Sequence, residues 1–429
     1  MVATARSAPP EIFADAIVRL VEGGRIASIE WQKILLQEAF TSAQQAHEPV
    51  RLIAVAGLAA DTRPSFRARA GDLQLDALSL EARVLKSLLT VDRSLARQMF
   101  QGLLHVPSQA TSCEDPLLPD AAAYYEVAGA VAQSAFSAEE KQESAHAQFL
   151  TATLAAATTP AEVAGFVHAL GQVELSRSEM EMVASALETK LDAMPVNYRS
   201  FALRIDDLAS GLDFFAARAG GQGVSTRAMG TAFRRFVVTQ MQGPRCQEEY
   251  DQAAAFAGAM WVKNLGDLAP LSKDEMKPSS RGGSFQAKSY FDADHSKELA
   301  ESLNRLRFPS EGKPFSEEQR STGAWRVLFS DFLRDYQAWS PTGTDIDILH
   351  QRLTVLRWLL ELTPPGDDRS RVVGLALTAL ESGGADKQSP VEWFWQAKSI
   401  LSAAGADRRA MADAYRASGI AGLQEAAGW

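Results

Sequence analysis

The stretch YFDADHSKEL (290–299) places two carboxylates and an imidazole, Asp292, Asp294 and His295, within four positions. Groups of this kind at this spacing can ligate a metal, and the alternation of Asp292 with Asp294 begins as a calcium loop does. The pattern then departs. Lys297 stands where such a loop requires glycine, and Leu303 where it requires a bidentate glutamate. The competing reading is a helix start, where acidic groups complement the free N–H groups and the helix dipole. That reading is preferred, so no metal and no cofactor is assigned. The three residues stay as candidates for polar binding. Thr344, Asp345 and Asp347 in TGTDIDIL read the same way, with Thr344 and Asp347 bracketing a first turn.

Two cations close by, Arg281 and Lys288, lie in a Pro- and Gly-bearing stretch and could contact an anionic partner. Trp393, in SPVEWFWQAKSIL (389–401), is the candidate aromatic contact. Val391, Phe394, Trp395, Lys398 and Leu401 share one helical face and leave Trp393 on the other, where it packs on a neighbouring helix or faces a ligand. Cys113 and Cys246 are the two cysteines. Three readings stay open for them: two free thiols, a bridge closing a loop of about 130 residues and worth roughly 4–5 kcal/mol, or a reactive Cys246 activated by Arg245 at a helix start.

Other chemistry finds no support. The sequence has no G-x-S-x-G elbow, no Walker A pattern, no H-E-x-x-H and no C-x-x-C pair. The glycines of AGGQGVST (219–226) do not complete a dinucleotide fingerprint, and they follow a helix pattern rather than a strand. The six histidines are scattered. No catalytic residue is assigned.

The elements carrying these residues are helical. Trp325, Leu328, Phe329, Phe332, Tyr336 and Trp339 recur every three to four positions, as do Ile346, Leu349, Leu353, Leu356 and Leu360. Capping boxes are expected at Ser137/Glu140, Thr159/Glu162 and Ser176/Glu179, and Ser389-Pro390-Val391-Glu392 reads as the same device. The run VRLIAVAGLAA (50–60) is the best strand candidate, but its alanines and glycine favour a helix. TRPSFRARAG (62–71) reads as a polar link. A helix is expected to begin near Arg245.

Starts and stops give roughly 16 to 18 helices joined by short turns. Starts near Asp120, Thr159, Asn197, Arg245 and Phe291 recur about every 40 to 47 residues, the interval of a HEAT-like two-helix repeat rather than a tetratricopeptide one. The expected fold is all-α: stacked antiparallel helical hairpins, in a HEAT/TPR-like solenoid or a large multi-helix array. Residues 1–265 form an N-terminal helical array, 266–291 a loop or linker, and 292–429 an aromatic-rich C-terminal array that holds six of the eight tryptophans.

Composition bounds the function. With a net charge of −10 and dispersed Lys and Arg, the chain lacks the basic stripe of a nucleic-acid binder. No apolar run reaches the roughly 18 residues needed to span a bilayer. The start MVATARSAPPEIF has no apolar signal core, so the compartment is open: cytoplasmic, or periplasmic or extracellular if an export signal was removed.

CEDPLLPDAAAYYE (113–126), HQRLTVLRWLLELTPPGDDRSRVV (350–373) and QSPVEWFW (388–395) resemble a group of bacterial helical proteins of unknown function, many of them exported. The departure at Gln388 leaves the helix start intact. The resemblance implies an all-helical fold and an envelope or extracellular location, and it transfers no active residue. The expected function is a noncatalytic helical scaffold or protein- or peptide-binding module, possibilities within the bacterial envelope included. The alternative is a hydrolase or lyase whose site assembles only in three dimensions. Oligomeric state is left open.

Overall fold

The computed structural model describes residues 5–54, 60–103, 112–246, 252–283, 285, 288–308, 314–320, 322–382 and 384–428, without the side chains of 252, 294, 295 and 317. Among these residues the fold is α-helical, with 22 α-helices and one two-stranded ribbon. The chain divides into two compact units, each assembled from non-contiguous segments. One contains Met1–Ala16, Leu58–Leu75 and Ala287–Trp429, the other Ile17–Gly57 and Asp76–Gln286.

In the second of these units, helices pack in two rows. Ala122–Ser134 lies against Pro160–Leu170, which lies against Tyr198–Gly221, which in turn meets Gln252–Ala259. The alternate helices make the other row: Ala145–Ala156 against Arg177–Ala193, and Arg177–Ala193 against Arg227–Gln242. The first three helices of the first row begin at equal intervals, at Ala122, Pro160 and Tyr198. Their apolar residues Val127, Val131, Val167, Leu208 and Leu212 are all inaccessible or nearly so. Small residues let the backbones approach. A Cβ on Gly211 would meet Val167 Cγ2 at 2.5 Å, and one on Gly129 would meet Ala169 Cβ at 3.1 Å.

Capping chemistry starts these helices as their sequences dictate. Both halves of the box form at Ser137/Glu140, Thr159/Glu162 and Ser176/Glu179. In the other unit, Thr344 and Asp347 form a fourth. Ser389 differs: its side chain makes no cap, and Glu392 turns away to other partners described below.

Two local expectations are corrected. Residues 51–54 are a strand rather than a helix, antiparallel to Leu117–Asp120 with Leu52 opposite Pro119 and Ile53 opposite Leu118. The pairing partner lies too far along the chain to be seen in a local pattern, and a two-stranded ribbon has only edges, where proline is tolerated. Residues 63–71 are a helix rather than a link. Pro64 occupies its first turn, where a missing N–H costs nothing, and Phe66 is buried. Arg245 itself is not helical, and the rest of the start expected near it falls on 247–251, outside the described residues. The Arg245 backbone N–H donates to Ser280 O at 3.1 Å, and its guanidinium Nη2 donates to Met241 O and Met276 O at 2.7 and 2.6 Å.

The segment after Gln252–Ala259 has no helix or strand among its described residues up to Asp294, yet it is well tied. Arg234 donates through Nε to Ala269 O at 3.0 Å and pairs with Glu275 at 2.9 Å. Donation from Ser272 N–H and the Arg234 charge hold the Glu275 carboxyl at about 2. The Cys113–Cys246 bridge closes beside this segment, with the two Cα atoms 5.4 Å apart. Gly282 passes so near that a Cβ there would lie 2.9 Å from Cys113 Sγ. The readings of free thiols and of a reactive Cys246 therefore give way to the bridge.

Candidate functional site

A dense polar constellation lies in the unit that holds the chain's last 143 residues from Ala287, and it grows from three helices. Arg63 opens the helix Arg63–Gly71, Asp347 and His350 lie in the first turns of Asp345–Leu362, and Glu392 and Gln396 lie on Pro390–Ala403. Arg63 donates to both Glu392 oxygens, through Nε to Oε2 at 3.0 Å and through Nη2 to Oε1 at 3.1 Å. Its third nitrogen, Nη1, donates to Asp347 Oδ1 at 3.1 Å, and the Tyr290 hydroxyl donates to that same oxygen at 2.7 Å. His350 lies 2.8 Å from Glu392 through Nε2 and 2.7 Å from the Gln396 amide nitrogen through Nδ1. The amide nitrogen can only donate, so Nδ1 accepts and Nε2–H donates to the carboxylate.

Electrostatics follow from this arrangement. Burial works against the Arg63 charge, but Glu392 and Asp347 outweigh it and the guanidinium is held protonated more firmly than usual. Burial pushes the His350 imidazole towards its neutral form, only partly offset by Glu392. Asp347 is raised by burial, but hydrogen bonds from Thr344 and Tyr290 prevail and keep it below the ordinary carboxylate range. Burial and the neighbouring Asp347 together push the Tyr290 hydroxyl up. His350 is wholly inaccessible, with the Phe66 ring stacked on it at 4.2 Å. Every polar atom of His350 and Glu392 already has a partner. This constellation ties helices together; it holds out no free base or nucleophile.

A cleft of about 490 Å³ in the same unit is different in kind. One wall is a single face of the helix Asp294–Arg307, carrying Ala300, Leu303, Asn304 and Arg307. The lining also takes Trp358, Glu361 and Leu362 from the end of Asp345–Leu362, together with Pro314 and Arg320. Arg320 Nε is buried and has no hydrogen-bond partner among the described residues. This is a volume in the range of small-ligand sites, with a lining that is part apolar and part charged.

Among the described residues, two shallower depressions lie along the second row of helices in the other unit. One, about 450 Å³, lies between Ala145–Ala156 and Arg177–Ala193 and is lined by Leu154, Met182 and Ala186 among others. Its neighbour, about 290 Å³, lies between Arg177–Ala193 and the start of Arg227–Gln242, with Ala184, Glu188 and Met229. Ser185 lines both.

Of the residues singled out from sequence, Cys113 and Cys246 are joined by the bridge. Asp292 is exposed and accepts from Ser289 N–H at 3.0 Å, closing a local turn. The side chains of Asp294 and His295 lie outside the described residues. Arg281 and Lys288 are exposed. Trp393 is 2% exposed, and its indole N–H donates to Leu380 O at 3.0 Å. A ring so placed is core and offers no platform for a ligand. Helix-face reasoning put Trp393 opposite Phe394, and both faces of Pro390–Ala403 prove to be covered.

Sequence reading missed Arg63, Tyr290, Arg307, Arg320 and Trp358. Two signals were present: Pro64 following Arg63, as at a helix start, and the 300, 303, 304, 307 spacing of one helical face. Among the described residues no group of three or more His, Cys, Asp or Glu stands close enough to hold a metal, and no helix is long and apolar enough to cross a membrane. Compared with known protein families, curated proteins and solved structures, the chain matches none.

Proposed function

We propose that the chain is a noncatalytic helical scaffold that binds a peptide segment of a partner protein. In this reading the two rows of helices in the unit built from Ile17–Gly57 and Asp76–Gln286 are stacked hairpins of the HEAT kind, whose repeated faces supply extended binding surfaces. The observation that carries the reading is the pair of depressions flanking Arg177–Ala193, joined through Ser185. Met182 stands on this helix 37% exposed, and a flexible thioether suits an adaptable apolar contact. The small side chains of Ala155, Ala186 and Ala193 leave room for the apolar residues of a bound segment. The rival reading, a hydrolase or lyase, needs a free acid or base, whereas the polar cluster around Glu392 is internally saturated.

The test is selection from a displayed random-peptide library with the purified full chain, followed by affinity measurement on the enriched sequences. Ser185→Arg fills both depressions and Met182→Lys charges one. Each is expected to weaken the selected peptides at least tenfold while leaving the circular-dichroism spectrum unchanged. Peptides that bind both variants as well as the parent chain would move the docking surface elsewhere, and turnover of an ester or glycoside panel would favour the enzyme.

A further inference from the structure

We infer that the cleft between Asp294–Arg307 and the end of Asp345–Leu362 is a binding site for a carboxylate borne on an apolar body. This inference is independent of the docking surface proposed above, which belongs to the other unit.

The charge of the site selects the ligand. Arg307 and Arg320 bring two guanidiniums to the lining, and Glu361 brings one carboxylate, a balance of one positive charge. Among the described residues no carboxylate forms an ion pair with either arginine. Among those residues Arg320 Nε, a buried donor, has no acceptor. An orphaned guanidinium N–H is costly in a folded protein, because its hydration has been removed without replacement. An oxyanion restores the lost bond, and the planar fork of arginine matches a carboxylate in two-point contact. A monoanion neutralises the site. A phosphate dianion would leave excess negative charge facing Glu361, so carboxylate is the better match.

The rest of the lining selects the body. Leu303, Leu362 and the partly exposed Trp358 form apolar walls. Phe291 packs against Trp358 with ring centroids 5.3 Å apart, which fixes the indole in place. Asn304 offers an amide for one further polar contact. About 490 Å³ exceeds what a lone carboxylate ion would fill and accommodates an aromatic or aliphatic acid, or the last few residues of a peptide. A free organic acid and a peptide C-terminus present the same chemistry here.

Titration calorimetry on the full chain separates the two sources. The probes are 4-phenylbutyrate and acetyl-Leu-Phe-Leu, each run beside its neutral carboxamide and beside inorganic phosphate. At least one acid is expected to bind, with its amide about tenfold weaker or more. Arg320→Gln and Arg307→Gln should each weaken the acid about tenfold, while Arg305→Gln, on the same helix but outside the lining, should leave it within twofold. Binding by phenylbutyrate alone identifies a small-acid site, and binding by the peptide alone a C-terminus site. The inference is overturned by no heat with either acid up to millimolar concentration, by equal binding of acid and amide, by phosphate binding more tightly than both acids, or by insensitivity to Arg320→Gln.

Discussion

Arg63 clasps Glu392 with two nitrogens on two oxygens, at 3.0 and 3.1 Å, between positions 329 residues apart in the chain. The same carboxylate accepts from buried His350, so three helices converge on one acidic side chain. The Glu392 side chain is 7% exposed and the Arg63 side chain 33%, so the clasp is closed on one side and wet on the other.

Removing one partner from such a pair costs more than removing both. Arg63→Ala leaves Glu392 buried without its counter-charge, a loss of about 2–3 kcal/mol once the wet side of Arg63 is allowed for. Arg63→Ala combined with Glu392→Gln should recover part of that loss, read from urea midpoints. Additive losses in the double variant would show that the two residues act separately.

Acid should loosen the same unit in a defined window. An ordinary histidine takes up its proton near 6.5, and burial delays this in folded His350. Between those two points the unfolded chain binds more protons, so stability falls as pH drops below about 6.5. Asp347, held below its ordinary 3.8, adds a second decline at more acid pH. His350→Gln should flatten the first decline, of order 1 kcal/mol per pH unit, in thermal-unfolding midpoints taken from pH 7 to pH 5. Parallel curves for the parent and the variant would assign the decline to other groups.

The Cys113–Cys246 bridge spans a sequence separation of 133. Closing a loop of this size restricts the unfolded chain by about 4–5 kcal/mol in the chain-entropy account. The Cys113→Ser, Cys246→Ser double variant should unfold at lower urea concentration by an amount in that range. Thiol labelling of the denatured parent chain should find no free thiol before reduction and two after it.

Two glycine substitutions should have opposite signs. Gly374 lies inside the helix Asp367–Glu381 with nothing within 4 Å of an added Cβ, so Gly374→Ala gains about 0.5–1 kcal/mol from helix propensity. Gly211→Ala drives its methyl into Val167 and loses about 1–2 kcal/mol despite the same propensity gain. Adding Val167→Ala to Gly211→Ala should return part of the loss. A stabilising Gly211→Ala would mean that this row of helices is more loosely packed than described.

Much of the fold was legible because helices declare themselves locally. The boxes at Thr159/Glu162 and Thr344/Asp347 are readable from four residues each, and the apolar spacing from Ile346 to Leu360 needs no knowledge of the remainder of the chain. What failed was non-local. Residues 51–54 become a strand only because 117–120 arrive beside them. The arginines of 62–71 looked like solvated linker until Glu392 supplied a buried partner for Arg63. Glu392 itself fits the sequence pattern of a cap, and a stronger, charge-assisted bond takes it elsewhere. The cleft was invisible for the same reason: Arg307, Arg320 and Trp358 belong to three separate helices.

The discontinuous make-up of the two units sets an order of events during translation. Residues 1–16 and 58–75 leave the ribosome early but cannot find their packing partners until 287–429 has been made. The segments 17–57 and 76–286 have all their own contacts available sooner, and domains generally fold as soon as they are complete. Phe66, which stacks on His350 and lies against Tyr290 and Trp395, therefore gains these contacts only when the later segment is present.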